Sequence, residues 1–161
     1  MSKIQTENLL LFLKPFDNEI QEKVMWLREI VWDQYPQTNE LIYDNYNALA
    51  FGWSPTDKVR HIFCSIAAGR TSKNVHFGFY WGNELSDPEG ILLGQGKQYR
   101  YILVTDKNNF PLSYINQLIK EAYQISLKKV KDPGQLLQGL TIVKSISEKK
   151  REKANKKPYQ T

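Results

Sequence analysis

The chain has 161 residues, of which 41% are hydrophobic and 24% are charged, as is usual for one globular domain with its own core. Its one cysteine excludes a fold held together by internal disulfides, as in many small secreted proteins. The net charge of +5 arises in residues 129–161, which contain nine Lys or Arg and three Asp or Glu and so carry +6. The rest of the chain carries −1, so its charge gives no argument for nucleic-acid binding.

The first apolar run, residues 9–13, is too short for a secretory segment, and Glu7 and Lys14 stand on either side of it. No run in the sequence approaches the ~20 apolar residues that span a bilayer. We therefore expect a cytoplasmic protein that has no membrane partner.

A helix is predicted over residues 19–34, because apolar residues recur on one of its faces. These residues are Ile20, Val24, Leu27 and Val31. Pro36 ends this helix, since the residue before a proline is disfavoured in the helical region.

Four strands follow, predicted at residues 47–53, 59–67, 75–81 and 98–105. They are rich in branched and aromatic residues, and the first of them alternates large with small side chains. The connections between them are too short for βαβ crossovers. The predicted fold class is α+β, a two-layer sandwich in which an antiparallel sheet packs against flanking N- and C-terminal helices.

The C-terminal part begins with a helix predicted from Pro111, which suits a first helical turn, to about Lys128. Turn residues at 132–134 end it, and the segment that follows fits either a helical stripe or a short strand. Beyond that the chain is polar and charged without any apolar period. We expect a single domain over residues 1–146 and a mobile basic tail over residues 147–161.

A family resemblance comes from two segments. Residues 85–100, LSDPEGILLGQGKQYR, resemble the L-x-D-P-E-G-L-L-x-G-x-G-K-x-x-R motif of the YdhG-like bacterial domains of unknown function, and residues 26–43 are similar to that family's first helix and following strand. The likeness covers about residues 10–128, although Asn47 stands where many members have Pro and Tyr101 where His is frequent. The resemblance implies a sandwich similar in outline to frataxin, and an iron-chaperone role, which one branch of the family has been assigned.

The first candidate site consists of acidic residues on the first predicted helix, away from its apolar face. They are Glu19, Glu22, Glu29 and Asp33. At 100° per residue they fall within a sector of about 80°. Carboxylate oxygens suit iron, calcium or manganese, and an acidic first helix is what a frataxin-like iron carrier would use. The alternative is an ordinary charged surface, in which acids near the N-terminus complement the helix dipole.

The second candidate site is the glycine-rich loop with the aromatic residues around it. Its residues are Trp81, Gly94, Gly96, Lys97, Tyr99, Arg100 and Tyr101. Backbone N–H groups with Lys and Arg can hold an anion, and the aromatic rings can stack on a planar ligand. The spacing excludes a Walker A loop. Alternatively, the glycines form a tight turn and Arg100 pairs with a carboxylate such as Asp87.

The remaining chemical candidates are His61, Cys64 and His76. His61 and Cys64 have opposite parity on one predicted strand, so without a bulge they cannot share a metal ion. His76 faces Cys64 only in a suitable register. We expect all three to be core or strand residues.

Aromatic residues at strand spacing are expected in the core, and any that lie exposed on the open sheet face would mark a partner or ligand surface. They are Trp26, Trp32, Trp53, Trp81, Tyr43, Tyr46, Tyr80, Tyr99 and Tyr101.

Together these patterns favour a small binding or carrier protein, with iron as the cargo that the resemblance implies. The alternative is a module that binds a small anionic or aromatic ligand, or a protein partner, through the sheet face and the glycine-rich loop. An enzyme ranks third, because the sequence contains no Ser/His/Asp set and no cofactor motif. The basic tail lacks interleaved aromatic residues, so we expect no nucleic-acid partner.

Overall fold

The computed structural model describes residues 3–152, and the side chains from residue 8 onward. In this part of the chain the helices are α1 (Lys3–Leu13), α2 (Asn18–Gln34) and α3 (Leu112–Lys129), and the strands are β1 (Asn39–Asp44), β2 (Ala48–Ser54), β3 (Cys64–Gly69), β4 (Val75–Phe79), β5 (Arg100–Leu103) and β6 (Thr141–Ile146). None of these helices is long and apolar enough to cross a membrane.

The strands form one six-stranded sheet in the order β5-β4-β3-β2-β1-β6. Neighbours from β1 to β5 are antiparallel, which confirms the α+β sandwich predicted from the short connections. β6 departs from the antiparallel pattern and lies parallel to β1, with Leu41 opposite Ile142. The intervening chain, which includes α3, is long enough to carry β6 back to the end at which β1 starts.

The helices cover one face of the sheet, and the core lies between the two layers. The predicted stripe of α2 is buried, as are Leu49, Phe51 and Trp53, the large residues of β2. A buried ion pair joins the layers, because Arg28 of α2 donates from Nε and Nη2 to the carboxylate of Glu40 in β1, at 2.6 and 2.8 Å. Both charges are thereby hydrogen-bonded inside the core.

Several predicted boundaries were wrong. The strand expected over residues 59–67 begins only at Cys64, because Val59–His61 forms a 3₁₀ turn. The strands expected to end at residues 81 and 105 stop at Phe79 and Leu103. The segment after α3 forms β6 and no helical stripe. Helix α1 was not predicted, since its Leu/Phe run shows no clear period.

The start of the predicted tail contacts the domain. Lys150 lies 2.8 Å from the Asp44 carboxylate, and the Arg151 amide donates to the Tyr46 carbonyl at 2.9 Å. The packed unit therefore continues past residue 146 to at least residue 151. Residues 153–161 of the predicted tail lie outside the described part of the chain.

Candidate functional site

A pocket with a volume of about 390 Å³ lies on the sheet face that the helices leave open. It is lined by residues of β1, β2 and β3 and by the segments that follow β1, precede β3, follow β4 and precede β5. These residues are Tyr43, Asn45, Ala50, Phe51, Gly52, Ile62, Ser65, Ala67, Tyr80, Gln98 and Tyr99. We call it the sheet-face pocket.

The floor of the pocket is made of small residues in two cross-strand pairs. Ala50 of β2 pairs with Ala67 of β3, and Gly52 pairs with Ser65. They alternate along the strands with the large residues that enter the core, because successive side chains of a strand point to opposite faces. Alternation of large and small residues therefore leaves room above the sheet. Ile62 closes one end of the pocket. A Cβ atom added at Gly52 would lie 2.6 Å from the Cδ1 atom of Ile62.

Tyrosine rings form the sides of the pocket. Tyr80 and Tyr99 meet edge to face, with centroids 6.5 Å apart and an interplanar angle of 80°. Tyr99 lies directly on the backbone of Gly78, where any Cβ would collide with its phenol ring. Tyr101 stacks behind Tyr99 at 5.8 Å, and His76 stacks on Tyr101 at 4.3 Å. The ring of Tyr43 forms the other wall of the pocket, across the floor from Tyr99.

The pocket is electrically neutral. Burial, with the nearby Tyr80 as a smaller cause, raises the pKa of Tyr43 to about 12, and burial also raises the pKa of Tyr80. Burial raises the pKa of Tyr99 as well, although a hydrogen bond with Ser65 opposes the rise. All three phenols are therefore protonated at neutral pH. None of the described residues that line the pocket is an Asp, Glu, Lys or Arg.

The Tyr43 hydroxyl is the least satisfied polar group of the pocket. It is buried and has no hydrogen-bond partner among the described residues. The indole nitrogens of Trp32 and Trp53 share this condition in the described chain, but neither of those residues lines the sheet-face pocket. A buried donor without a partner destabilises a protein by about 1–3 kcal/mol, so the Tyr43 hydroxyl is a position at which a ligand can form a hydrogen bond.

The structure brings part of the predicted glycine-rich site together, because Gly94, Gly96 and Tyr99 contact Arg100 and Tyr99 stacks on Tyr101. Tyr99 lines the pocket, and Tyr101 stands behind it. Arg100 points the other way, because the sides of a strand alternate, and its Nη1 donates to the carbonyls of Gly96 and Tyr99 at 2.7 and 2.8 Å. Lys97 is exposed and lies outside the pocket. The lining of the sheet-face pocket therefore contains Tyr99 of this prediction but neither of its cations.

Gly94 and Trp81 have local structural roles. Gly94 has a φ of +123°, which only glycine adopts easily, and a Cβ there would lie 2.9 Å from the Tyr99 carbonyl. Trp81 donates from Nε1 to the Arg60 carbonyl at 2.9 Å, and the Lys129 ammonium lies 3.9 Å from its ring centre. These contacts join the start of the loop after β4 to the 3₁₀ turn at Val59–His61 and to the C-terminal end of α3.

Asp87, the acidic residue of the LSDPEG segment, organises its own loop. It does not pair with Arg100 among the described contacts. Its carboxylate accepts hydrogen bonds from the Tyr114 hydroxyl at 2.5 Å and from the amides of Leu92 and Ile91 at 3.0 and 3.2 Å. Burial would raise the pKa of Asp87, but these hydrogen bonds outweigh it and lower the pKa.

The four acidic residues predicted to bind metal are exposed on α2 and fall into two separate pairs. Glu19 and Glu22 border one depression beside residues 105–108, and Glu29 and Asp33 border another beside Pro36. Glu19 pairs with Lys23 at 3.2 Å. At 1.5 Å per residue, Glu22 and Glu29 are separated by about 10 Å along the helix. Among the described residues, no group of three or more His, Cys, Asp or Glu is placed to hold a metal ion.

His61, Cys64 and His76 occupy three different environments. His61 is in the 3₁₀ turn and not on a strand, so the parity argument did not apply to it, and its Nδ1 lies 2.7 Å from the Thr56 hydroxyl. Cys64 is fully buried in the core, where burial raises its thiol pKa. His76 stacks on Tyr101 on the open face.

Sequence reasoning named Tyr43 and Tyr80 only among the aromatics that would mark a ligand surface if they lay on the open sheet face, and it missed the pocket floor. The available signal was the small–large alternation of β2, combined with tyrosines on neighbouring strands. The register that brings them together is set by contacts between distant parts of the chain, which periodicity does not reveal.

Comparison of the chain with protein-family models, with curated proteins and with solved structures found no match. The resemblance to YdhG-like domains therefore stays a prediction from the residues that carry it.

Proposed function

We propose that this protein is a binding module for a small organic molecule, which it holds in the sheet-face pocket. The observation that supports this most strongly is a concave surface of small paired residues between tyrosine rings, with one buried hydroxyl left without a partner in the described chain. Ligand pockets in proteins are concave, mostly apolar and supplied with a few placed polar groups. A volume of about 390 Å³ falls within their usual range.

The residue types of the pocket favour binding over catalysis. No His, Cys, Asp, Glu or Lys is among the described residues that line it, so the described pocket has no strong general base and no activated nucleophile. Its tyrosines are protonated at neutral pH, as their raised pKa values require. Such groups donate hydrogen bonds and contact rings.

The test is a titration of the ¹⁵N-labelled protein with six bicyclic probes: indole, quinoline, coumarin, 2-naphthol, naphthalene and 2-naphthoate. We expect at least one probe to shift the amide resonances of Ala50, Gly52 and Ala67 in a saturable way, while resonances of α2 stay in place. The proposal fails if no probe shifts the floor amides.

A pocket-filling variant ties binding to this location. Ala67→Leu places a larger side chain on the floor, and we expect it to weaken the binding of the tightest-binding probe by about tenfold or more. Ala50→Leu fills the same floor from β2 and serves if Ala67→Leu does not fold. Ala48→Leu is the matched control, because Ala48 lies on the same face of β2 but outside the pocket lining. If all three variants bind the probe as tightly as the parent protein does, the binding site lies elsewhere.

An iron carrier is the function that the family resemblance implies, and it stays a prediction. The described structure adds no ligand cluster in its support. Anaerobic titration with ferrous iron tests it directly. The prediction requires saturable binding that both Glu22→Ala and Glu29→Ala weaken, and it is abandoned if the variants bind as the parent protein does.

A further inference from the structure

We infer that the ligand is an uncharged, planar molecule that accepts a hydrogen bond from the Tyr43 hydroxyl. This inference rests on the proposed function, since it names the chemical class that the sheet-face pocket selects. Three features carry it: the absence of charge in the described pocket lining, the shape of the space between floor and rings, and the hydrogen-bond partners that the polar groups have or lack.

The neutral lining argues against a charged ligand. An ion that leaves water for a mostly apolar pocket loses its hydration, and it regains that free energy only from an opposite charge or from several hydrogen bonds. The nearest cations predicted from the sequence do not supply this, because Arg100 is hydrogen-bonded to carbonyls of its own loop and Lys97 is exposed outside the pocket. The neutral lining therefore favours the aromatic ligand of the sequence prediction over the anionic one.

The shape of the pocket favours a flat ligand. Its floor is two directly paired strands whose side chains are a hydrogen, methyl groups and one hydroxymethyl group, so the surface offers few projections. Tyr80 and Tyr99 stand nearly perpendicular to each other beside it, which gives a ligand ring one face and one edge to contact. A volume of about 390 Å³ equals roughly thirteen water molecules at about 30 Å³ each, which suits a bicyclic ring system.

The polar groups indicate an acceptor on the ligand. Tyr43 has a pKa of about 12, so its hydroxyl keeps its proton at neutral pH, and that hydroxyl is buried with no partner in the described chain. The Tyr99 phenol already shares a hydrogen bond with Ser65. A carbonyl or ring nitrogen placed at Tyr43 would therefore satisfy the pocket's remaining buried donor, whereas a purely apolar ring would leave it unsatisfied.

Three probes of similar size separate these features: coumarin is neutral with a carbonyl acceptor, naphthalene is neutral without an acceptor, and 2-naphthoate is anionic. We expect coumarin to bind at least about tenfold more tightly than 2-naphthoate, because the lining offers the anion no counter-charge. Dissociation constants come from the shifts of the Ala50, Gly52 and Ala67 amides. Equal or tighter binding of 2-naphthoate would overturn the neutral-ligand inference and leave the proposed function standing.

The variant Tyr43→Phe tests the acceptor. It should weaken the binding of coumarin by about fivefold or more and leave the affinity for naphthalene within about twofold, since only coumarin accepts a hydrogen bond from the hydroxyl. Tyr46→Phe is the matched control, because it also removes a phenol hydroxyl but from an exposed tyrosine outside the pocket lining, and we expect it to leave both affinities within about twofold. If Tyr43→Phe weakens the binding of both probes equally or of neither, the hydroxyl does not donate to an acceptor on the ligand and the inference is wrong.

Two further outcomes also decide the matter. If none of the three probes shifts the floor amides, the proposed function fails and this inference fails with it. If the floor amides shift with protein concentration and not with probe, a second copy of the chain occupies the surface, and the small-molecule class is wrong. Size-exclusion chromatography with light scattering then reports the dimer independently.

Discussion

The hydroxyl groups of Tyr43 and Tyr114 lie in opposite environments. The Tyr114 hydroxyl donates to Asp87 at 2.5 Å and accepts from the Glu89 amide at 3.1 Å, so it stabilises the loop that contains both residues. The Tyr43 hydroxyl is buried without a partner in the described chain. A buried, unsatisfied group in a folded protein calls for an explanation, and at a pocket a ligand that supplies the missing partner is one.

The same substitution should therefore change stability in opposite directions at these two positions. We expect Tyr43→Phe to raise the free energy of unfolding of the ligand-free protein by about 1 kcal/mol, because it removes an unsatisfied buried hydroxyl and keeps the ring. Tyr114→Phe should lower that free energy, because it removes the hydrogen bond to the Asp87 carboxylate. Urea unfolding curves followed by tryptophan fluorescence give both values.

A loss of stability in Tyr43→Phe would mean that its hydroxyl is hydrogen-bonded in solution, and the acceptor argument would then lose its basis. Tyr114→Phe serves as the internal reference, since it shows that the assay detects the loss of one tyrosine hydrogen bond.

At the scale of elements, the end of β1 is joined to two other segments through one carboxylate. Asp44 is 5% exposed and lies 2.5 Å from the Arg70 guanidinium, which follows β3. Its other oxygen lies 2.8 Å from Lys150, which also donates to the Asp44 carbonyl at 2.9 Å. The segment after β6 is thus fixed to the sheet by charge-assisted hydrogen bonds to a buried acid.

We expect Lys150→Ala to lower the free energy of unfolding by about 1 kcal/mol, a modest value because Arg70 still neutralises Asp44 and Lys150 is partly exposed. Lys149→Ala is the control. It removes an exposed cation from the same segment and should change stability by less than about 0.5 kcal/mol. Chemical unfolding of the two variants side by side measures the difference, and equal effects would show that the segment is not held by Asp44.

Elements with a clear period were predictable from the sequence. Helices α2 and α3 and strand β2 lie where their apolar spacing put them, because burial of one face is the main constraint on such segments. Helix α1 was missed because its Leu/Phe run has apolar residues on more than one side, and Leu11 is 64% exposed. β6 was ambiguous because its partner, β1, lies about a hundred residues earlier in the chain.

The sheet-face pocket could be predicted only in part. Tyr99 was identified by its position beside the glycine-rich loop, and the open sheet face was expected to be a ligand surface if aromatics lay on it. Arg100 and Lys97 were grouped with Tyr99 because they are neighbours in sequence, but strand alternation sends Arg100 to the other side. Tyr43 joins the site through pairings across three strands, which no local pattern specifies.

At the scale of the whole molecule, the two faces of the sheet have different chemistry. One face is filled by large apolar residues under helices α2 and α3, and it carries the stability of the fold. The other face carries small residues, tyrosines and His76, and part of it is open. A sheet with only one covered face has its stability and its binding surface on opposite sides, so floor and ring residues can change with limited effect on the core.

Two histidines make the stability of the whole fold depend on pH in a defined window. Burial, followed by the charge of Arg60, lowers the pKa of His61, and burial lowers the pKa of His76. Both therefore bind a proton more readily in the unfolded chain, where the ordinary value is about 6.5. Because stability falls wherever the unfolded state binds more protons, it should be full above pH 6.5 and decline as the pH drops below that value.

His61 should dominate this decline, since it is 2% exposed and its Nδ1 lies 2.7 Å from the Thr56 hydroxyl, whereas His76 is only partly buried. The slope of the free energy of unfolding can reach about 1.4 kcal/mol per pH unit for one histidine. Urea unfolding at pH 7.5, 6.5 and 5.5 measures it, and His61→Gln should flatten the curve more than His76→Gln does. Asp87 does not contribute to the change in stability over this range, because its lowered pKa confines its effect on the free energy of unfolding to pH values below about 4. A parent protein equally stable at pH 7.5 and 5.5 would show that neither histidine is held neutral by the fold.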